Sequence, residues 1–209
     1  MLLDFNSIVR KYNMKISGVL HIGAHYGEEH SLYKMNNINK IVYFEPLKNN
    51  FQVLESKVGG DATLYNIALG QEEKEIEMFV ETANNGQSSS ILEPVLHLVQ
   101  YPGILFNDRE TVQMKRLDDV IDNSNSEYNF INIDVQGYEL EVFKGSTKTL
   151  ENIDYIIAEI NRDEVYKNCA KVNELCEFLG QYGFDLVEEN WVDYGKGDWG
   201  DGLFVKKRN

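Results

Sequence analysis

Residues 18–30, with the sequence GVLHIGAHYGEEH, constrain the fold of this chain more than any other segment. The first five form a short, apolar and partly β-branched run, which is typical of a strand covered on both faces. Gly23 and Gly27 follow, and small residues at such a turn let a ligand approach the backbone. The segment therefore predicts a strand, a ligand-binding turn and a helix. An ordinary strand-to-helix turn is the alternative, because the third glycine of a full dinucleotide fingerprint is missing.

The acidic balance of the chain limits its partners. The 209 residues include 34 acidic and 20 basic side chains, which give a formal charge of −14. Such a charge repels phosphate backbones and anionic membrane surfaces, so we expect neither a nucleic-acid partner nor insertion into a membrane. Residues 1–13 contain no long apolar run, which argues against a signal peptide or a membrane span at that end.

The two cysteines indicate the cellular compartment, and the length of the chain indicates the number of domains. Cys169 and Cys176 lie seven residues apart in a stretch of helical character, which would place them about two turns, or roughly 10 Å, apart and too far for a disulfide. Reduced thiols are typical of a cytoplasmic protein, which is the location we predict. The length and the 43% of apolar residues fit a single domain over residues 1–209 with a sizeable core.

Predicted strands and helices alternate along the chain, which is typical of an α/β fold. The last two strands are separated by about a dozen residues, too few for a crossover helix, so we expect them to pair antiparallel. Strands or extended segments are predicted at 18–22, 40–44, 62–67, 75–80, 112–114, 130–133, 155–160, 184–188 and 202–205, and helices at 4–12, 28–35, 47–58, 117–121, 138–143 and 171–182.

Residues 84–110 interrupt this alternation. The segment begins NNGQSSS and continues through a moderately apolar stretch that is too long for a plain connection. Insertions of this kind are commonly lids or binding loops, and we predict an inserted loop or lid here. A disordered surface loop is the alternative.

Three acidic residues are predicted at strand ends, where open α/β sheets bind their ligands. Glu45 follows the glycine turn by about 20 residues, the distance at which an acid can hold a ribose diol; a solvated loop acid is its alternative. Asp134 ends the strand FINI and could instead cap the next helix. Glu159 lies inside the apolar run YIIAEI, so its carboxylate needs a partner or a cavity.

Several motifs together resemble the FkbM family of S-adenosylmethionine-dependent methyltransferases. The resemblance covers roughly residues 18–160, and the most distinctive segment is INIDVQGYELEVFKG, which has the pattern D-x-Q-G-x-E-x-x-x-x-x-G. The other motifs are HIGAHYGEE, YFEP, NIAL, the SSS run and RLDDV. Two positions depart from the family pattern: many members have Asp at the position of His21, and many have Lys at the position of Asn132.

The resemblance implies a class I methyltransferase, Rossmann-like fold. Such a fold has a central seven-stranded, mostly parallel sheet with an antiparallel last strand and helices on both faces. The implied cofactor is S-adenosyl-L-methionine, which becomes S-adenosyl-L-homocysteine, and the implied reaction is O-methylation of a sugar hydroxyl in a glycan or glycosylated metabolite. The cofactor-binding positions implied are His21, Gly23, Ala24, His25, Gly27, Glu28, Glu45, Pro46, Asn66, Ala68, Ser88, Ser89, Ser90 and Asp134.

A sugar hydroxyl is a poor nucleophile while it keeps its proton, so a carboxylate should take that proton as the new bond forms. Asp134 is the first candidate for this catalytic base and Glu159 is the second. Asp134 could instead hold the ammonium group of the cofactor, which would leave Glu159 as the base. We assign no metal ligands, and a magnesium site at Asp134 and Glu159 is the alternative.

The late segment NWVDYGKGDWGD predicts the acceptor site. It leaves the carboxyl end of a strand and combines aromatic faces, which suit a sugar ring, with acids that accept from its hydroxyls. The predicted acceptor-binding residues are Gln136, Trp191, Tyr194, Asp198 and Trp199, and the predicted partner is a carbohydrate. The alternative is that both tryptophans close the edge of the core.

Two other classes of function remain open at the level of sequence. A NAD-type Rossmann oxidoreductase also has a glycine turn and a ribose-binding acid. A non-catalytic glycan-binding module could use the same fold. The chain could also form part of a larger glycan-assembly protein or complex.

Overall fold

A mixed β-sheet forms the centre of the molecule. The structure is a computed structural model that describes residues 1–123, 127–192 and 198–207. The strands are β1 (Gly18–Ile22), β2 (Lys40–Phe44), β3 (Thr63–Tyr65), β4 (Ala68–Leu69), β5 (Lys74–Val80), β6 (Asp108–Lys115), β7 (Phe130–Ile133), β8 (Tyr155–Asn161), β9 (Phe184–Val192) and β10 (Trp199–Lys206).

Within the described residues, the central sheet has seven strands in the order β3-β2-β1-β7-β8-β10-β9. Neighbours pair in parallel from β3 to β8, whereas β10 runs antiparallel to both β8 and β9. The predicted mostly parallel sheet with an antiparallel last strand is therefore confirmed. The strand order reverses between β1 and β7, and ligands bind at such a point in open α/β sheets.

Helices cover both faces of this sheet, as predicted. One face carries α1, α2 and α3, and the other carries α5, α6, α7 and α8. The helices are α1 (Phe5–Lys11), α2 (His30–Met35), α3 (Lys48–Val58), α4 (Leu96–Gln100), α5 (Leu117–Val120), α6 (Glu139–Lys144), α7 (Thr149–Asn152) and α8 (Val172–Gly180), with a 3-10 turn at Gly59–Asp61.

A second, three-stranded sheet was not anticipated. It has the order β4-β6-β5, with β5 and β6 antiparallel. The strand predicted at 62–67 is shorter, since β3 ends at Tyr65 and the next strand, β4, belongs to the second sheet. Between them, Asn66 Nδ2 donates to the carbonyls of Glu45 and Pro46, both at 2.9 Å. The alternation in β5 directs Met78 toward a small core of its own with Val112 and Met114.

The inserted segment is folded onto the rest of the molecule, so the alternative of a disordered loop is wrong. An isolated bridge joins Ser90 to Phe79 in β5, and a second joins Pro94 to Tyr166 after β8. The segment also contains α4. These connections hold the segment beside the carboxyl ends of the central strands, where His97 and Tyr101 line a cavity together with Asp134. We refer to residues 84–110 as the lid, and its function as a cover over a ligand stays a prediction.

The predicted aromatic loop near the end of the chain is shorter than expected. Trp191 belongs to β9 and Trp199 begins β10, because the two strands pair almost to their connection. Tyr194 lies outside the described residues. Cys169 lies before α8 and Cys176 within it, and both are free thiols.

Candidate active site

Two adjoining cavities open at the carboxyl ends of the central strands. The larger has a volume of about 450 Å³. The smaller lies beside Glu45 and is walled by apolar side chains such as Leu47 and Ile91. The residues that line both cavities are Gly23, His25, Gln87, Asp134 and Gln136. The cavities therefore meet where β1 and β7 end.

The glycine turn is pressed against the end of β7. A Cβ atom on Gly23 would lie 1.8 Å from the carbonyl oxygen of Asp134, and the φ angle of Gly23 is +76°. The amides of Gly23 and Ala24 both donate to the carbonyl of Phe44, at 3.0 Å each. Only glycine fits this position, which brings the turn, β2 and β7 together around the junction of the cavities.

Glu45 supports this turn from the end of β2. Its side chain is 4% exposed. One carboxylate oxygen accepts from the amide of His25 at 2.8 Å, and the other accepts from the amide of Leu47 at 2.9 Å. Burial raises the pKa of Glu45 to about 7. The alternative of a solvated loop acid is therefore wrong for this residue.

His25 connects the turn to the lid. Its Nδ1 lies 2.8 Å from the carboxylate of Glu28, and its Nε2 lies 3.0 Å from the carbonyl oxygen of Asn85. Burial lowers the pKa of His25, but Glu28 and the Asn85 carbonyl outweigh that effect and raise it. His25 and Glu28 therefore fasten the start of the lid over the glycine turn.

The two departures from the family pattern lie opposite each other in the sheet. His21 in β1 is in register with Asn132 in β7, and their side chains are 3.4 Å apart. Tyr33 joins both, because its hydroxyl accepts from Asn132 at 2.7 Å and lies 3.2 Å from Nδ1 of His21. Burial lowers the pKa of His21, which favours the neutral ring. The two residues that depart from the family pattern, His21 and Asn132, thus form one neutral hydrogen-bonded group with Tyr33.

A carboxylate cluster lies where the cavities meet. Nε2 of Gln136 donates to Asp134 and to Glu159, at 2.7 Å each. Asp134 is exposed, whereas Glu159 is 5% exposed. Burial raises the pKa of Glu159 well above its usual range, and the charges of Asp134 and Glu139 raise it further. Glu159 therefore retains a proton more readily than an ordinary carboxyl group does.

Glu139 completes this cluster, and the sequence reasoning missed it. It is 0% exposed, and one oxygen accepts from the amides of Val135 and Gly137, at 3.0 and 3.2 Å. Its other oxygen has no hydrogen-bond partner among the described residues. Burial raises its pKa to about 7. The signal that could have identified it is the E of the D-x-Q-G-x-E motif.

The same cluster is compact enough to be considered as a metal site. One oxygen from each of Asp134, Glu139 and Glu159 lies within 4.8 Å of the others. However, the amide of Gln136 already donates to two of these three groups. The arrangement can therefore share protons or hold a cation, and we assign no metal to it.

The serine run contributes to both cavities. Ser88 lines the larger cavity and Ser89 lines the smaller one. Ser90 is fully buried, and its hydroxyl donates to the carbonyl of Gln136 at 2.7 Å. The run therefore joins the lid to the loop after β7.

The lid and β10 form the far wall of the larger cavity. Nε1 of Trp199 donates to the hydroxyl of Tyr101 in the lid at 3.0 Å, and both residues line the cavity. His97 lines it as well. The sequence reasoning missed Tyr101 and His97, since neither belongs to a motif.

The predicted acceptor residues are only partly brought together. Gln136 and Trp199 line the larger cavity. Trp191 instead packs against the guanidinium of Arg162, 3.9 Å from its ring, and Asp198 pairs with the same Arg162 at 3.3 Å. Neither Trp191 nor Asp198 lines a cavity described here. Their assignment as acceptor contacts stays a prediction.

Solved structures of similar fold show the fold class of this chain. Sp1610 from Streptococcus pneumoniae, in complex with S-adenosyl-L-methionine, has a TM-score of 0.55 at 11% identity over 100% of this chain and 75% of that one. The magnesium protoporphyrin IX methyltransferase ChlM from Synechocystis, with bound cofactor, has a TM-score of 0.53 at 11% identity, over 97% of this chain and 76% of that one. The fold is the class I, Rossmann-like methyltransferase fold.

The sequence then gives the family. The model of the FkbM methyltransferase domain matches residues 21–186. The chain belongs to the FkbM methyltransferase family, which uses S-adenosyl-L-methionine. The resemblance is thus confirmed, and the oxidoreductase alternative is set aside.

One relative carries a more specific name. The 2-O-methyltransferase NoeI of Sinorhizobium fredii is 31% identical over 103 residues, which make up 49% of this chain and 42% of NoeI. The chain therefore aligns with less than half of that relative.

The comparisons do not test whether the chain binds nucleic acid. Sp1610 is a suggested tRNA (m1A22) methyltransferase, so the absence of a nucleic-acid partner stays a prediction. Among the described residues, every helix is too short or too polar to cross a membrane.

The raised pKa of Glu139 predicts a pH dependence of stability. The folded chain keeps this proton to about pH 7, whereas the unfolded chain loses it near 4.5, so folding takes up a proton between these values. The stabilisation that protonated Glu139 contributes to the folded state is fully present below pH 4.5 and is lost as the pH rises toward 7. Glu139→Gln should therefore reduce the pH slope of the free energy of unfolding by up to about 1.4 kcal/mol per pH unit in this window.

Urea unfolding at several pH values measures this slope. The control is Glu141→Gln on the same helix, whose side chain pairs with Lys144 outside the cluster. We expect the control to keep the wild-type slope. Equal slopes in the wild type and in Glu139→Gln would contradict the prediction.

Proposed function

We propose that this protein transfers a methyl group to a hydroxyl of a sugar, with a carboxylate as the general base. The observation that carries the proposal is the Asp134–Gln136–Glu159 cluster, which lies where a narrow, partly apolar cavity meets a wide one. Two substrates that exchange a group must meet at such a junction. The similarity to NoeI, a 2-O-methyltransferase, supports oxygen as the methylated atom.

The smaller cavity and the glycine turn fit the cofactor. The Glu45 carboxylate accepts two amide hydrogen bonds, yet its oxygens have about four acceptor sites, so it can also accept from ribose hydroxyls. The apolar walls suit a purine ring. When bound, S-adenosyl-L-methionine supplies an electrophilic methyl group. The residues that would hold it are those that line the turn and the smaller cavity, together with Ser88 and Ser89.

The wide cavity suits a neutral carbohydrate. Trp199 and Tyr101 provide aromatic faces for the apolar side of a sugar ring, and the carboxylates that line the same cavity can accept from its hydroxyls. The formal charge of −14 and these acids disfavour a phosphate backbone. We include the lid, residues 84–110, in this site and regard the chain as one methyltransferase domain.

The two proposed catalytic carboxyl groups, Asp134 and Glu159, differ in their burial and in how readily they hold a proton. Glu159 is buried, and burial together with the charges of Asp134 and Glu139 raises its pKa, so it holds a proton more readily than an ordinary carboxyl group does. Asp134 is exposed to the cavity and receives a hydrogen bond from Gln136. We therefore assign Asp134 as the base that takes the hydroxyl proton, and Glu159 as the group that holds Gln136 and Asp134 in position.

Replacement of Glu45 should weaken cofactor binding. Loss of a charged acceptor costs about 2 to 3 kcal/mol, so Glu45→Ala should reduce the affinity for S-adenosyl-L-homocysteine roughly 30- to 150-fold by calorimetry. The control is Glu110→Ala, which removes a carboxylate that accepts from the Lys48 amide at 2.9 Å outside the cavity. Wild-type affinity in Glu45→Ala would refute the assignment.

Replacement of the two acids should reduce turnover. Loss of a general base typically costs 10²- to 10⁴-fold in rate, so we expect Asp134→Asn to fall in that range and Glu159→Gln to lose less. Methyl transfer to the accepted sugar is measured by mass spectrometry, and affinity for S-adenosyl-L-homocysteine controls for folding. Near-normal turnover in both folded variants would exclude the carboxylate base. Loss of wild-type activity in EDTA, restored by magnesium, would favour a metal at the cluster.

The aromatic wall should affect the acceptor rather than the cofactor. An aromatic contact contributes about 0.5–1.5 kcal/mol, so Trp199→Ala should raise the KM for the acceptor up to about 10-fold. Trp199→Phe keeps a ring but loses the bond to Tyr101 and should be intermediate. The affinity for S-adenosyl-L-homocysteine should not change. Unfolding, or an equal loss of both ligands, would assign Trp199 to the core instead.

A further inference from the structure

His97 lies in the lid and has no role in the site as described so far. It belongs to α4, lines the larger cavity and is 4% exposed. Its backbone is held in place, because the amides of Val95 and His97 both donate to the carbonyl of Val165, at 3.0 and 3.2 Å. The lid therefore presents this imidazole at a defined position in the cavity wall.

Three aromatic side chains of the described residues pack around the ring. The ring centroids of Tyr101, Phe106 and Tyr166 lie 5.0, 5.3 and 5.5 Å from that of His97. Its Nδ1 is buried and has no hydrogen-bond partner among residues 1–123, 127–192 and 198–207. An unpaired buried nitrogen destabilises the protein unless a ligand or a water satisfies it. The imidazole therefore has a hydrogen-bonding capacity in the cavity wall that the described residues leave unused.

The ring is also neutral near physiological pH. Burial lowers the pKa of His97 to about 4. A neutral imidazole has one N–H donor and one acceptor nitrogen. A hydroxyl group can donate or accept, so it matches either tautomer, whereas a carboxylate matches only the N–H. The acids of this cavity, Asp134, Glu159 and Asp201, further disfavour an anionic ligand.

We propose that His97 binds a second hydroxyl group of the acceptor, one that is not methylated, so that the lid selects the acceptor as well as covering it. This inference rests on the proposed function. Asp134 and Glu159 come from β7 and β8, whereas His97 comes from α4, so the two contacts act from different walls. A sugar ring carries several hydroxyls and can satisfy both.

Two variants of His97 distinguish the contribution of its aromatic ring from that of its hydrogen-bonding nitrogens. His97→Phe keeps an aromatic side chain but cannot form the hydrogen bond, so the acceptor KM should rise about 10-fold, with unchanged affinity for S-adenosyl-L-homocysteine. His97→Asn places a donor and an acceptor near Nδ1 and should recover part of this loss. The matched control is Val99→Asn on the same helix, which is 75% exposed and should behave as wild type.

A structural role would give a different result. Because His97→Phe removes an unpaired buried nitrogen, its thermal midpoint should equal or exceed that of the wild type. Lower stability together with weaker cofactor binding would overturn the inference and assign His97 to the core.

The probes are methyl glucoside, galactoside and mannoside with their monodeoxy analogues. In the wild type, removal of one particular hydroxyl should raise KM about 10-fold without abolishing methylation, and the same removal should have no further effect in His97→Phe. The sugars could be methylated while the effects of the deoxy substitution and of His97→Phe on KM multiply. In that case His97 does not bind that hydroxyl, and only this inference fails. If the wild type neither binds nor methylates any sugar, calorimetry and mass spectrometry reject the proposed function and this inference together.

Discussion

The side chain of Gln136 joins the parts of this active site that come from separate regions of the chain. Its amide nitrogen donates to Asp134 at the end of β7 and to Glu159 in β8, and its amide oxygen accepts from Tyr166 at 2.6 Å. Its carbonyl accepts from Ser90 in the lid. The residue has a φ angle of +55°, which is uncommon outside glycine and is held here by these bonds.

This arrangement has an electrostatic consequence. Three carboxyl groups lie together at the junction, two of them buried, and like charges at such distances cannot all ionise at low cost. The amide of Gln136 and the raised proton affinity of Glu159 and Glu139 relieve that repulsion. The same features make Asp134, the exposed member, the candidate for the proposed base. The stability of the cluster and its chemistry therefore have one physical origin.

Much of the fold and part of the site could be predicted from local sequence. The apolar runs around Leu20, Ile131 and Ile156 predicted the central strands because burial on both faces requires such runs. Glu45, Asp134 and Glu159 were predicted near one edge because parallel strands end together. The role of Glu45 in supporting the turn was not predictable, since it depends on where the amides of His25 and Leu47 point.

The sequence by itself determined the class of fold, the position of the glycine turn and the acids at the strand ends, since these depend on short-range patterns of burial and on strand direction. Only the tertiary structure decided that His21 faces Asn132, that Trp199 meets Tyr101, that Glu139 joins the cluster of Asp134 and Glu159, and that His97 lines the larger cavity. These contacts join residues far apart in the chain. They depend on how the lid and the second sheet pack against the central sheet, and no local pattern of residues records that packing.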